Sequence, residues 1–232
     1  MGLKLLDKKD SENNREYAYR LLRANIMTLD LLPGAVINEG EVSELLNTSR
    51  TPIHEAVLKL KEESLVEVYP QSGSKISLID ISILKEGNFM RSVLEPEILQ
   101  SVAGNVPPAQ MERLKVNLEA QREALEGEER IDPFFKLDDQ FHRIIYEIAD
   151  KKKIWEAVKG VCSHYDRVRY VDAIMNRTDL AHIYEEHRRL FHWLLVGIPG
   201  GCDVKRFYDG HLGTYKAHFQ EIMEKYPEYF KM

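Results

Sequence analysis

The stretch Asn47-Thr48-Ser49-Arg50-Thr51-Pro52-Ile53-His54-Glu55-Ala56-Val57 decides how the N-terminal third of the chain is read. Ser49 or Thr51 can cap a helix, and Pro52 is tolerated in a first turn, where amide hydrogens have no partner inside the helix. Ile53, Ala56, Val57 and Leu60 then recur at helical spacing, which predicts a helix running to about Glu63 with that face inward. Upstream, Tyr19, Leu22, Ile26 and Leu29 make one apolar stripe within Arg15–Leu31, and Pro33-Gly34 ends it. A short helix over Glu41–Leu46 lies between the two. Downstream, Leu65–Tyr69 and Lys75–Leu78 alternate with period two around Pro70-Gln71-Ser72-Gly73. Three helices followed by a β-hairpin wing predict a winged helix-turn-helix over residues 1–78.

From Ile81 the texture changes to long amphipathic segments without a strand signal. The expected spans are Ile81–Gly104, Pro108–Glu126, Pro133–Ala149, Ile154–Ile174, Leu180–Val196 and Val204–Lys225. Asn105-Val106-Pro107-Pro108, Gly127–Arg130 and Gly197–Gly201 read as loops. Residues 79–232 are therefore expected to form an all-α bundle of about six helices, and the fold class is mainly α.

Composition narrows the functional classes. The chain has 232 residues, 44% hydrophobic and 30% charged, the balance of a soluble globular protein. No run approaches the ~18 apolar residues of a membrane span, and Met1–Asp10 has no apolar secretion core. Two cysteines, Cys162 and Cys202, cannot make a disulfide framework. A cytoplasmic protein with no membrane partner is the expectation. The net charge of -6 argues against a surface that clings broadly to nucleic acid or anionic lipid. Up to Ile79 the chain carries ten Lys and Arg against twelve Asp and Glu, so any DNA contact must be local.

Two groups of residues carry chemistry. A recognition helix enters the major groove N-terminus first, so Arg50 is placed for a bidentate contact to guanine. Ser49, Thr51 and the free amides of that turn can hold a phosphate, helped by the helix dipole. Lys59 and Lys61 fit either a phosphate contact or a solvated face. Farther on, Asp138 and His142 stand four apart and share one helix face, which can converge two ligands on one ion. That pair alone is ambiguous, because five other histidines (His54, His164, His182, His192 and His218) make a chance match easy.

The quoted stretch resembles the recognition-helix signature of the GntR family of bacterial transcription regulators, with Leu32-Pro33-Gly34 before it, Leu58–Glu63 after it and Gly73 in the wing. The bundle is similar to the FadR-type, or FCD, effector domain through Arg91-Ser92-Val93-Leu94-Glu95, Asp138–Arg143, Glu186-His187 and His211-Leu212. The resemblance covers nearly the whole chain in the family's order. It implies a ligand-responsive regulator in which a homodimer binds double-stranded operator DNA. Ser49, Arg50, Thr51, His54, Gly73 and Lys75 then become the DNA-binding set. It also implies that Asp138, His142, His187 and His211 hold a divalent ion. Three imidazoles and a carboxylate suit Zn²⁺ or Ni²⁺ better than Ca²⁺.

A small organic acid would complete the metal shell by the same resemblance. Arg91, Arg143, Arg167 and Arg169 are candidates for neutralising it, with Tyr146 or Tyr165 as donors and His164 lining the cavity. Helix-borne arginines, however, more commonly pair with surface Glu or Asp, and that reading is favoured for any one of them. Two departures stand out: His54 where the family usually has arginine, and Ser72 where a basic residue often precedes the wing glycine. Fewer phosphates are then neutralised, unless Lys75, Lys4, Lys8 and Lys9 compensate, and a shallow salt dependence is expected. The alternative is a metal-dependent hydrolase using the Asp/His₃ site. Trp155, Trp193, Phe134, Phe135 and Phe141 read as packing residues.

Overall fold

The computed structural model describes residues 2–69, 73–175 and 178–231, so Pro70, Gln71 and Ser72 of the expected turn lie outside the described residues. Helix α1 (Asn14–Met27) starts at a capping box: the Asn13 side chain accepts from the Glu16 amide and the Glu16 carboxylate accepts from the Asn13 amide. Strand β1 (Val36–Ile37), α2 (Glu39–Leu45) and α3 (Arg50–Glu62) follow. Strands β2 (Val66–Tyr69) and β3 (Gly73–Ile76) form the antiparallel wing, with Val66 opposite Ile76 and Tyr69 opposite Gly73. Gly73 has φ +85°, which L-residues with a Cβ rarely adopt. Ile53, Ala56, Val57 and Leu60 are fully buried with Leu22, Ile26, Val66 and Ile76, as the periodicity of α1 and α3 requires. A third strand, β1, pairs with β3. Two residues are too few to show alternation, so the sequence did not signal it.

Strand β4 (Ile79–Asp80) leads into α4 (Ile81–Val102), α5 (Pro108–Glu126), α6 (Ile131–Ile148) and α7 (Lys152–Val161). Next come α8 (Ser163–Ile174), α9 (Leu180–Val196), α10 (Val204–His211), a 3-10 turn (Thr214–Ala217), α11 (Phe219–Lys225) and β5 (Phe230–Lys231). Two expected helices are thus divided. Ile154–Ile174 is α7 and α8, broken at Cys162, and Val204–Lys225 is α10, the 3-10 turn and α11. The second division falls after His211, at Gly213, and glycine is a poor helix former. Among the described residues, eight helices replace the expected six. None is long and apolar enough to cross a membrane.

The chain forms two compact units. One contains Met1–Lys85, Val161–Val171 and Gln220–Met232; the other contains Glu86–Gly160 and Asp172–Phe219. The winged-helix unit therefore draws on three stretches of chain, where the sequence suggested one cut after residue 78. Buried backbone at the wing base must find hydrogen-bond partners, and distant residues supply them. Ser163 Oγ donates to the Glu63 carbonyl (3.2 Å), and Arg167 Nη2 to the Ser77 carbonyl (2.9 Å). His164 Nδ1 accepts from the Asp80 amide (2.9 Å), and its Nε2 lies 3.0 Å from the Ser64 carbonyl. Strand β5 pairs in parallel with β4, Ile79 opposite Phe230, and Lys231 forms an ion pair with Asp80 (3.2 Å). Such long-range pairings leave no local trace in sequence.

In the second unit, the face shared by α5, α6 and α9 is sealed by Phe134, Leu180 and Ile183, with Leu125, Phe135 and Tyr184 around them. Trp155 and Trp193 are buried as expected. This packing turns the polar edge of α6 inward toward α9 and α10.

Candidate functional site

Asp138 and His142 lie one turn apart on the buried face of α6. His187 comes from the middle of α9, and His211 is the last residue of α10. All four are buried, and one ligand atom from each lies within 4.8 Å of the others. His142 Nε2 is 3.2 Å from His211 Nε2, and His187 Nε2 is 3.4 Å from an Asp138 oxygen. The structure therefore brings together all four residues of the expected ligand set.

The opposite edge of each ring explains this convergence. His142 Nδ1 lies 2.9 Å from Glu95 Oε2, His187 Nδ1 2.7 Å from Gln121 Oε1, and His211 Nδ1 2.8 Å from Glu186 Oε2. With Nδ1 engaged outward, each imidazole turns Nε2 toward the common centre. This is the outer arrangement that orients histidine ligands and fixes their tautomer. For His187 the hydrogen's place follows from a chain of amides. The Leu137 carbonyl can only accept, so the Asn117 amide nitrogen faces it (3.1 Å). Asn117 Oδ1 then accepts from Gln121 Nε2 (2.7 Å), which leaves Gln121 Oε1 to accept from His187 Nδ1–H. His187 accordingly offers an Nε2 lone pair inward. Phe141 stacks on His187 (4.6 Å between ring centres, 22° between planes) and Phe207 on His211 (5.9 Å, 11°), which holds the ring planes.

Charge points the same way. Glu95 is buried between Arg91 Nε (2.5 Å) and His142. Burial pushes its carboxyl up, but Arg91 and then His142 outweigh that and hold it at about 2. Burial lowers the His211 imidazole, with Glu186 opposing. Asp138, Glu95 and Glu186 against Arg91 leave a formal charge of −2, which a divalent cation balances. Buried charge without compensation is costly, so donor type, direction and charge all fit a transition ion.

The expected effector residues divide. Arg91 is buried and engaged with Glu95, beside the His142 ring. Tyr146 is buried with its ring 5.2 Å from Trp155. Arg143 does not belong with them: its side chain is half exposed and pairs with Glu147 (3.0 Å), because its position on α6 faces solvent. His164 and Arg169 fall in Val161–Val171, which groups with the winged-helix unit. Both His164 ring nitrogens are spent on backbone groups, and Arg169 lies over the Tyr165 ring at 5.5 Å. Arg167 is likewise committed to Ser77.

Sequence reasoning missed Glu95, Gln121 and Glu186 as supporting residues. Glu95 and Glu186 stood inside the stretches singled out, and their carboxylates next to arginine and histidine were the available signal. Gln121 had none beyond being polar on the inner face of α5.

In the winged-helix unit Ser49 is the N-cap of α3 by position, without a side-chain capping bond. Ser49, Arg50, Thr51 and His54 are exposed on the outer face of α3, and Gly73 and Lys75 are exposed on the wing. The turn that opens α2 holds two of them. A Cβ on Gly40 would come within 3.3 Å of Arg50 Nη2, so glycine leaves room for that guanidinium. Glu39 Oε2 lies 3.1 Å from His54 Nδ1, and Ser74 Oγ donates to Glu39 Oε1 (3.3 Å). Glu39 is a further residue the sequence did not mark.

Residues 14–76 match the model for bacterial regulatory proteins of the gntR family, and residues 88–197 match the FCD domain. The HTH-type transcriptional repressor RspR of Escherichia coli K12 is 37% identical over 91% of this chain and 91% of its own. An uncharacterized HTH-type regulator from Streptomyces ambofaciens is 32% identical over 95% of this chain and 91% of its own. Among solved structures, E. coli McbR/YncC shares the fold, with TM-score 0.71 at 20% identity over 93% of this chain and 99% of that one. A GntR regulator from Rhodococcus sp. RHA1 gives TM-score 0.65 at 17% identity, covering 94% and 99%.

Proposed function

The chain belongs to the GntR family of bacterial transcription regulators, with an FCD domain behind its winged helix, and we propose that it binds operator DNA as a homodimer whose affinity a small carboxylate metabolite adjusts at a metal-containing centre. Its family and relatives are regulators and not enzymes, so the hydrolase alternative falls. The observation that carries the metal reading is the outward pinning of all three Nδ1 atoms by Glu95, Gln121 and Glu186. Asp138, His142, His187 and His211 would hold Zn²⁺ or Ni²⁺, which supplies a Lewis-acidic seat for one carboxylate oxygen. Arg91 and Tyr146 are the residues of this unit proposed to meet the rest of such an acid.

The DNA reading assigns Arg50 to a guanine, Ser49 and Thr51 to phosphate, and Gly73 and Lys75 to the wing contact. A ligand shifts this binding only through unequal affinity for the DNA-competent and incompetent arrangements.

Two outcomes test the halves of the proposal separately. Loss of one bidentate guanine contact in each half-site costs on the order of 100-fold in affinity. Arg50→Ala should weaken binding to the chain's own promoter region by about that factor in a gel shift, with metal content unchanged. Competition with a chromogenic chelator should show Gln121→Ala weakening metal binding roughly 10- to 100-fold. His187→Ala should weaken it more. A wild-type protein that carries no stoichiometric metal after purification and reloading would refute the centre. Binding should also fall only gently with salt, because few basic groups flank Arg50. A logarithmic slope near −10, typical of a many-contact repressor, would contradict this.

A further inference from the structure

Position 54 lies one turn after Arg50 on the exposed face of α3, so both side chains project to the same side. The His54 side chain is 52% exposed, and its Nδ1 lies 3.1 Å and 3.4 Å from the two oxygens of Glu39. A carboxylate oxygen only accepts, so the ring hydrogen sits on Nδ1. Glu39 is itself held from the wing strand by Ser74, which is buried. The carboxylate therefore bridges α2, α3 and β3 and keeps the imidazole in one orientation. The edge left facing outward is Nε2, which in a ring carrying its hydrogen on Nδ1 is a lone pair.

We propose that His54 reads an exocyclic amine in the major groove, on cytosine or adenine, and that Glu39 is the positioning residue that makes it an acceptor. The inference rests on the operator-binding reading above. Cytosine N4 and adenine N6 are the donors displayed in that groove, whereas guanine and thymine present acceptors at the corresponding positions. Arg50 is donor-only and His54 acceptor-only, so one turn of α3 reads two opposite kinds of base edge. An arginine at position 54 would offer a second donor and neutralise a phosphate. The Glu39–His54 pair does neither, which turns the position from attraction to selectivity.

Selection of binding sites from a randomised duplex pool tests this with the full-length protein at pH 8. Wild type should enrich adenine or cytosine at one symmetric pair of positions by on the order of 5-fold, the worth of about one net hydrogen bond. His54→Ala should lose selectivity at that pair alone, and His54→Arg should shift it to guanine. Glu39→Leu removes the acceptor, so nothing holds the ring hydrogen on Nδ1 and the outward Nε2 is no longer kept as a lone pair. Preference for adenine or cytosine at the pair should then be lost, while the bases read by Arg50 stay as they were. Thermal melts matching wild type establish that each variant is folded. Guanine at that pair in the wild type, or an unchanged preference in Glu39→Leu, would overturn the proposal. Enrichment at no position, including those read by Arg50, would instead remove the operator-binding reading and this inference with it.

Discussion

Glu95→Ala is expected to lower the stability of the FCD-containing unit by about 3–5 kcal/mol, the usual cost of removing one partner from a buried ion pair. Glu95 is 2% exposed and its carboxylate serves both Arg91 and His142. Its loss leaves a guanidinium in a dry interior without that countercharge, and releases the ring of His142, one of the proposed metal ligands. For a chain of this size the drop corresponds to a fall in melting temperature of roughly 10 °C. Metal affinity should fall in parallel. Glu95→Gln separates the two effects, since an amide oxygen can still accept from His142 Nδ1 but cannot neutralise Arg91. It should retain more metal affinity than stability. Differential scanning calorimetry with and without added Zn²⁺ measures both, and a Glu95→Ala protein as stable as wild type would refute the account.

Acid should loosen the winged-helix unit well before its carboxylates are protonated. His164 is buried with Nδ1 accepting from Asp80 and Nε2 facing the Ser64 carbonyl, so it has no room for a second ring hydrogen at Nδ1. Burial, and then the nearby Arg167 guanidinium, lower it to about 4. Its unfolded value is near 6.5, so below that pH the unfolded chain takes up a proton that the folded one refuses. This contribution is full above pH 6.5 and is lost as pH falls toward 4. Across that window the loss amounts to about 3 kcal/mol. Urea midpoints measured from pH 8 to pH 4 for wild type and His164→Asn isolate the effect, because other titrating groups contribute to both. The wild type should lose stability relative to the variant over that range; parallel curves would show that His164 does not titrate this way.

Much of this architecture was legible from local pattern. The apolar stripes of α1 and α3, the capping residues and the alternation of β2 and β3 all reflect neighbours in sequence. Asp138 and His142 were legible as a pair because one helix carries both. His187 and His211 became ligands only through the family resemblance, since α9 and α10 meet α6 through packing that spacing alone cannot express. What escaped was set by long-range backbone need. Neither the break at Cys162 nor the role of the first turn of α8 has a local cause. Arg143 shows the converse: a charged residue beside a ligand in sequence lies on the wrong side of its helix.

The assembly of the winged-helix unit from three separated stretches has a temporal consequence. A ribosome releases Met1–Lys85 long before Val161–Val171 and Gln220–Met232, yet both later segments complete the base of the wing. Several of the contacts involved join residues 84 to 100 positions apart, and such non-local contacts are slow to form. The recognition helix thus emerges early, while the partners of Ser64, Ser77, Ile79 and Asp80 follow 84 or more residues later. A nascent chain should therefore finish its winged-helix unit only after most of the Glu86–Gly160 and Asp172–Phe219 unit has been made, so an early fragment ending before Val161 would present an incompletely supported recognition helix.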